Sequence, residues 1–163
     1  MKTLYLMRHA KSSWDDASLS DFERPLNDRG LRTAPVMGKL MREKGFEPSV
    51  ILCSPAERAR QTALLVKDAS GFSQEIQFDD RIYEASPHSL AQVVSEIDDP
   101  NKSAMLVGHN PGMEGFIRYL TGDLEPMPTT ALAVIVLNID KWDEIKDRCG
   151  DLQEVFRPKE LKP

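Results

Sequence analysis

The sequence predicts an α/β fold: a single three-layer α/β/α domain over residues 1–163, with a mostly parallel sheet of about six strands and helices on both faces. Length is the first reason, since 163 residues suit one compact domain. Composition is the second, because 40% hydrophobic and 29% charged residues are ordinary values for a globular protein. The third is order along the chain, where short apolar runs alternate with helix-length segments.

Apolar runs of strand length mark the sheet. They cover residues 3–7, 50–53, 76–78, 104–107, 131–139 and 152–156. The first begins almost at residue 1, as a buried strand does, and the last is short and expected at an edge of the sheet. The longest uninterrupted apolar run, 131–137, has the length of a strand and is too short for a membrane span.

The first predicted helix has clear start and stop signals. Asn27 or Asp28 caps it, and it runs to about Lys44 and stops at Gly45. Pro35 lies inside this helix and should loosen or kink its first half. The apolar side chains expected on its core side are Leu31, Val36, Leu40 and Met41.

Three further helices and one long loop complete the pattern. One helix covers residues 56–67, another begins at 86–87 and continues through Ile97, and a third carries residues 116–120. Residues 12–25 are polar and acidic, which predicts a long loop. Its carboxylates are expected to be solvated: Asp15, Asp16, Asp21 and Glu23.

Net charge and cysteine content narrow the function classes. A formal charge of −5 argues against a nucleic-acid partner, which normally needs a basic stripe, yet it leaves room for a small anion site with local cations. The first apolar run breaks at Arg8, too early for a signal peptide, so no membrane partner is expected. Cys53 and Cys149 form neither a CxxC pair nor a disulfide framework, which favours a reducing cytoplasm.

Three predicted strands end in residues that carry chemistry. They are Arg8-His9 after the first strand, Ser54-Pro55 with Arg58 after the second, and Gly108-His109-Asn110-Pro111 after the fourth. The carboxyl ends of parallel strands share one edge of the sheet, and ligands of α/β folds bind there. Two of the three histidines and two arginines are therefore expected at one edge.

These residue types suit phosphoryl transfer. A phosphomonoester carries about two negative charges near neutral pH, and arginine forks match its oxygens. A neutral imidazole can attack phosphorus when its other nitrogen is held, and a second histidine can donate to the phosphoryl oxygens. The helix starts near Pro55 and Asn110 add backbone N–H groups, which makes Asn110 a substrate-binding candidate. No metal or cofactor is expected, because no carboxylate cluster suits Mg²⁺.

Three segments, taken in order, resemble the signatures of the histidine phosphatase superfamily, which includes the phosphoglycerate mutases. Residues 8–10 resemble its Arg-His-Gly signature, residues 54–62 its second signature and residues 107–111 its third. The small size, the opening Arg-His-Ala-Lys-Ser-Ser-Trp and the Gly-His-Asn-Pro turn look most like the SixA-like phosphohistidine phosphatases. The resemblance implies a phosphoglycerate mutase-like fold.

The same resemblance implies a role for each matching residue. His9 is then the nucleophile that becomes phosphorylated, and His109 is the second histidine that contacts the phosphate. Arg8 and Arg58 hold the phosphoryl oxygens. Ala10 stands where the family carries glycine, a replacement that is tolerable if its φ is negative.

Three further candidates have weaker support. Ser12 falls where mutase-like members carry a serine, which implies that it also reaches the phosphate. Lys11 is either a residue that steers anions towards the site or a solvated lysine. Glu84 lies where larger relatives place an acid, and it is either a general acid or an ordinary loop carboxylate. A phosphohistidine substrate needs such an acid less, since imidazole is a good leaving group.

Three functions follow as hypotheses. The first is a metal-independent phosphatase that forms a phosphohistidine on His9 and acts on a phosphohistidine of another protein. The second keeps this chemistry and takes a small phosphomonoester as substrate. The third is a phospho-ligand binding module without turnover, but binding alone needs only the arginines and leaves His9 unexplained. Nothing in the sequence encloses an intermediate as a mutase requires.

Overall fold

The computed structural model describes residues 1–161, so residues 162 and 163 of the predicted domain lie outside the described part. The strands are β1 (Lys2–Arg8), β2 (Val50–Cys53), β3 (Ile76–Phe78), β4 (Ser103–Gly108), β5 (Leu132–Leu137) and β6 (Gly150–Phe156). The α-helices are α1 (Asp28–Lys44), α2 (Glu57–Ser70), α3 (Pro87–Ser95) and α4 (Gly112–Thr121). Short 3-10 turns lie at Asp21–Glu23, Asp80–Ile82, Trp142–Glu144 and Pro158–Glu160.

The six described strands form one sheet in the order β3-β2-β4-β1-β5-β6. β3, β2, β4 and β1 are parallel to one another, whereas β5 runs antiparallel to β1 and to β6. Helices connect the parallel strands because such a connection must cross from one end of the sheet to the other. The predicted mostly parallel sheet is confirmed, with β6 at an edge as expected.

Alternating side chains of β1 enter two cores, one on each face of the sheet. Leu4 and Leu6 lie in the core that also contains Phe116 of α4. Tyr5 and Met7 lie in the other core, which contains the buried residues of α1 and α2. Successive residues of a strand point to opposite faces, so one strand supplies both cores. The predicted three-layer arrangement with helices on both faces is confirmed.

The two cysteines lie on opposite faces of this sheet. Cys53 belongs to the core under α1 and α2, and Cys149 belongs to the core under α3 and α4. Both are buried and free, which confirms that they do not pair.

α1 begins and ends where the sequence predicts. The side chain of Asn27 accepts a hydrogen bond from the backbone N–H of Gly30 at 2.9 Å, and Gly45 closes the helix with a φ of 72°. The helix continues through Pro35. Neither α1 nor any other helix within residues 1–161 combines the length and apolar character that a membrane span requires.

The buried face of α1 differs from the predicted one. Met41 is buried as expected, but Leu31 and Val36 are 45% and 46% exposed. A Cβ atom added at Gly38 would lie 2.7 Å from the carbonyl oxygen of Val66 in α2. α1 therefore packs on α2 through small residues, and the prediction was wrong because apolar periodicity favours large side chains over such a close contact.

Candidate active site

The carboxyl ends of β2, β4 and β1 lie side by side at one edge of the sheet. Their last residues are paired in register, Arg8 with Gly108 and Cys53 with Val107. The chain continues from these ends into His9, His109 and Ser54, all of them buried. The rings of His9 and His109 are 5.1 Å apart between centroids and inclined at 53°. The structure thus brings the two strand-end histidines together.

The tautomer of His9 follows from its one hydrogen bond to the backbone. Its Nδ1 lies 2.7 Å from the carbonyl oxygen of Ala10. A carbonyl oxygen can only accept, so Nδ1 carries the proton and Nε2 carries the lone pair. Burial lowers the pKa of His9 to about 3, and the positive charges of Arg58 and Arg8 add to this effect. Near neutral pH, His9 is a neutral imidazole whose Nε2 has a lone pair.

The second histidine is held by Ser54, a strand-end residue for which the sequence predicted no role of its own. Nε2 of His109 lies 2.8 Å from Oγ of Ser54, and that Oγ accepts from the backbone N–H of Ala56 at 3.2 Å. Burial and the charge of Arg58 lower the pKa of His109 to about 4, so its ring is neutral near neutral pH. When the Ser54 hydroxyl donates to Nε2, the remaining ring proton is on Nδ1, which makes Nδ1 a hydrogen-bond donor.

Each arginine is fixed by a terminal nitrogen. Nη1 of Arg8 donates to the carbonyl oxygen of Met127 at 3.2 Å, and Nη1 of Arg58 donates to the carbonyl oxygen of Asp21 at 2.6 Å. Burial lowers the pKa of Arg8, and the charge of Arg58 acts in the same direction, whereas the carboxylate of Glu114 opposes them. Two like charges held in one buried region favour an anion between them.

Three nitrogens of this cluster are buried without a hydrogen-bond partner among the described residues. They are Nε of Arg8, Nε of Arg58 and Nδ1 of His109. Buried polar groups are normally paired, because an unpaired one forfeits its hydration. All three belong to side chains that the sequence predicts at the site, and nitrogens of this kind can donate to the oxygens of an anion.

Asp21 connects the long loop to this cluster. Its carboxylate accepts from Nη2 of Arg58 at 3.0 Å, from the hydroxyl of Tyr83 at 2.6 Å and from Nη2 of Arg24 at 3.1 Å. The hydrogen bond from Tyr83, together with the two arginines, lowers the pKa of Asp21 to about 2. Asp21 is exposed, as expected of a solvated acidic loop, but the loop folds back onto α2 and pairs this carboxylate with Arg58, a contact that the sequence did not predict.

Thr62 connects Ala10, the residue after His9, to α2, the helix that carries Arg58. Its hydroxyl accepts from the backbone N–H of Ala10 at 2.9 Å and donates to the carbonyl oxygen of Arg58 at 2.7 Å. Ala10 is fully buried and is not among the described residues with positive φ. Alanine can replace the family's glycine without backbone strain when φ is negative, and Ala10 meets this condition.

Lys11 and Ser12 follow this segment and have other contacts. Lys11 is exposed, and its carbonyl oxygen accepts from the backbone N–H of Asn27 at 3.0 Å. The hydroxyl of Ser12 accepts from Nη1 of Arg24 at 2.8 Å. The structure uses Ser12 to hold the loop, and the predicted phosphate contact of Ser12 stays a prediction.

Asn110 and Glu84 lie on the segments around His109. The side-chain nitrogen of Asn110 donates to a carboxylate oxygen of Glu114 at 2.7 Å and to the carbonyl oxygen of Met127 at 2.9 Å. Its amide therefore fixes the segment that also holds Arg8. Glu84 is exposed, has a φ of 53° and follows Tyr83, whose ring packs edge-on against His109 with centroids 5.6 Å apart. The roles predicted for Asn110 and Glu84 stay predictions.

Residues 1–161 contain no group of three or more His, Cys, Asp or Glu side chains arranged to hold a metal ion. The charges available to an anion in this cluster are those of Arg8 and Arg58.

Comparisons with known proteins agree with this geometry. A family model for the histidine phosphatase superfamily (branch 1) matches residues 4–99. An uncharacterized chloroplastic protein of Arabidopsis thaliana is 31% identical over 152 residues, which cover 88% of this chain and 70% of that protein. The family expected from the signatures is thus confirmed.

Solved structures give the same result for the fold. A protein assigned as the phosphohistidine phosphatase SixA of Agrobacterium tumefaciens is 29% identical, with a TM-score of 0.83 over 96% of this chain and 98% of that one. A protein with the same assignment from Nakamurella multipartitia is 25% identical, with a TM-score of 0.85 over 96% of each chain. The chain has the same mostly parallel α/β sheet as these SixA proteins.

Proposed function

Because the chain belongs to branch 1 of the histidine phosphatase superfamily, we propose that it is a phosphatase whose covalent intermediate is a phosphohistidine at His9. The observation that carries the proposal is the set of three unpartnered nitrogens, from Arg8, Arg58 and His109, next to a neutral His9. Binding alone would need the two arginines, whereas the lone pair on Nε2 of His9 supplies a nucleophile.

The proposed reaction has two displacements at phosphorus. Nε2 of His9 attacks the phosphoryl group, a nitrogen–phosphorus bond forms, and the bond to the leaving group breaks with its electron pair leaving on that group. Arg8 and Arg58 hold the phosphoryl oxygens through Nε, and Nδ1 of His109 donates to the charge that builds on them. Water then attacks phosphorus, the bond to His9 breaks, and inorganic phosphate leaves with the oxygen of that water.

We propose a phosphohistidine on another protein as the substrate. The similarity to SixA phosphohistidine phosphatases at 29% and 25% identity supports this choice. The leaving imidazole needs little protonation, which agrees with the exposed position of Glu84, the predicted general acid. The arginines supply the positive charge, so the proposal includes no metal or cofactor. The two free cysteines favour a reducing compartment, and we propose the cytoplasm.

The test is to trap the intermediate. The protein is incubated briefly with a ³²P-labelled phosphohistidine peptide, quenched and examined for phosphate bound to protein. We expect phosphate that is labile to acid and stable to base, as a phosphoramidate is, and its loss in His9→Ala. His88→Ala is the matched control, because His88 is exposed and its ring packs on Tyr119. Steady turnover by His9→Ala would refute the mechanism.

A further inference from the structure

A cavity of about 350 Å³ lies beside the His9 segment. Its walls come from the start of α1, from the segment before β5 and from the turn after β6. Four cationic side chains line it: Lys11, Arg29, Arg32 and Lys159. The other lining residues are uncharged and include Val36, Leu161 and Thr130. The cavity thus combines positive charge with an apolar surface.

None of the four cations has a carboxylate partner within the part of the chain that the structure describes. None of them takes part in the salt bridges found among residues 1–161. The chain has 26 acidic and 21 basic residues, so partners are not scarce. Arg29 and Arg32 are three residues apart on α1, where like charges repel. An anion between these side chains would remove that repulsion.

The cavity is connected to the catalytic segment by backbone. Lys11 is two residues from His9, a separation of about 7 Å at most along extended chain. The backbone N–H of Thr130 donates to the carbonyl oxygens of Arg8 and His9 at 3.1 and 3.0 Å. The cavity therefore adjoins the backbone that carries His9.

Thr130, which lines the cavity and bonds to the backbone of His9, has two further unusual features. It is only 1% exposed, its hydroxyl oxygen has no hydrogen-bond partner among the described residues, and its φ is 69°. A β-branched residue in this backbone region is strained, and such strain concentrates at functional sites. The strained, unpaired residue lies between the cavity and His9.

We propose that this cavity is a second anion site, which binds a carboxylate or phosphate group of the molecule whose phosphoryl group reacts at His9. The inference rests on the proposed function in taking His9 as the reacting residue. The cavity falls within the range of about 300–1,000 Å³ typical of small-ligand sites. Val36 and Leu161 contact the carbon skeleton that carries the anionic group.

The test compares binding of two matched ligand pairs. One pair is a phosphohistidine-analogue peptide with acidic or with neutral flanking residues. The other is a small phosphomonoester with or without a carboxylate. Binding is measured by calorimetry in a His9→Ala background, so that no ligand is consumed. Arg29→Ala/Arg32→Ala is compared with Lys39→Ala/Arg42→Ala, an exposed pair with the same spacing on α1, outside the cavity.

We expect the anionic member of at least one pair to bind about ten-fold more tightly, from two partly exposed charge pairs. Arg29→Ala/Arg32→Ala should abolish this preference, and the control variant should keep it. A preference confined to the peptides identifies an acidic protein substrate, and one confined to the esters identifies a small molecule. Equal binding within both pairs, or a preference that survives Arg29→Ala/Arg32→Ala, overturns the site.

A turnover assay separates this inference from the proposed function. Charge-dependent binding without turnover by the otherwise unaltered protein would refute the phosphatase and leave the anion site standing. Turnover together with equal binding of the anionic and neutral ligands would refute the anion site and leave the phosphatase standing.

Discussion

The carboxylate of Asp21 and the guanidinium of Arg58 form an ion pair across 37 positions of the chain, with Nη2 donating to Oδ2 at 3.0 Å. The backbone carbonyl oxygen of Asp21 accepts from Nη1 of the same arginine at 2.6 Å. Arg58 is thus held by both terminal nitrogens, while its Nε has no partner among the described residues. Nε and the second N–H of each terminal nitrogen are the donors it has left for phosphoryl oxygens. The pair also places a negative charge beside an arginine that is proposed to hold a phosphate dianion.

Asp21→Asn is expected to tighten inhibition by inorganic phosphate about three- to ten-fold, equivalent to roughly 1 kcal/mol. The substitution removes a repulsive charge, while the amide oxygen and the backbone carbonyl still accept from Arg58. The measurement is the competitive inhibition constant at low ionic strength. Glu23→Gln is the control, because Glu23 is exposed and bonds to Ser20. An unchanged or weakened constant in Asp21→Asn would contradict the expectation.

The meeting of His9 and His109 could be predicted from the sequence, whereas the contacts of Asp21 could not. Both histidines follow parallel strands, and the carboxyl ends of such strands share an edge. Asp21 lies in a loop, 37 residues from Arg58 and 62 from Tyr83, and no periodicity links them. The composition of an acidic segment predicts a solvated loop, because composition carries no information about ion pairs between residues far apart in the chain.

Ser54 shows a second limit of prediction. It lies within the segment 54–62 that predicted the family, yet nothing in residue type or spacing indicates that its hydroxyl meets Nε2 of His109. That contact depends on the register of β2 against β4, in which Cys53 pairs with Val107. Motifs predict which residues share a site, and the sheet register decides which atoms meet.

Ser54→Ala is expected to lower kcat about ten-fold or more, with a smaller change in KM. Without the hydroxyl, Nε2 of His109 loses its partner and the ring no longer favours the tautomer with a proton on Nδ1. Ser54→Thr keeps the hydroxyl and should restore part of kcat. The measurement is single-turnover phosphorylation of His9. An equal rate in Ser54→Ala would show that Ser54 does not position His109.

Thr62→Val is expected to lower the free energy of unfolding by about 1–3 kcal/mol, because the buried N–H of Ala10 loses its acceptor. It should also lower kcat, since the carbonyl of Ala10 holds His9. Thr33→Val is the control, because the hydroxyl of Thr33 bonds only within α1, to the carbonyl of Arg29 at 2.6 Å. The free energy of unfolding of both variants is measured in urea. An equal decrease in Thr62→Val and Thr33→Val would show that the contact with Ala10 does not stabilise the fold.

Acid is expected to destabilise the fold through His9 and His109. Their pKa values are lowered to about 3 and about 4 in the folded chain, and imidazoles of an unfolded chain titrate near 6.5. As the pH falls from 6.5 towards 4, the unfolded chain binds protons that the folded chain does not. The free energy of unfolding then falls by up to about 1.4 kcal/mol per pH unit for each histidine. Above 6.5 both states are neutral and this contribution is constant.

The measurement is urea unfolding at several pH values between about 4.5 and 7.5, the window in which these imidazoles titrate in the unfolded chain. His9→Gln should remove about half of the slope. His88→Gln is the control for replacing an imidazole outside the site, at an exposed ring that packs on Tyr119. A slope that is the same in His9→Gln as in the unaltered protein would mean that His9 is not held neutral in the folded state.

Glu84→Gln separates the two substrate classes. If Glu84 is a general acid, loss of its proton should lower kcat for an alkyl phosphomonoester about a hundred-fold, because an alkoxide needs protonation as it leaves. Hydrolysis of a phosphohistidine peptide should stay within about two-fold, since imidazole leaves readily. Glu75→Gln, at another exposed carboxylate, is the control. Unchanged kcat on both substrates would show that Glu84 is not the general acid. The leaving group would then depart without a proton from Glu84.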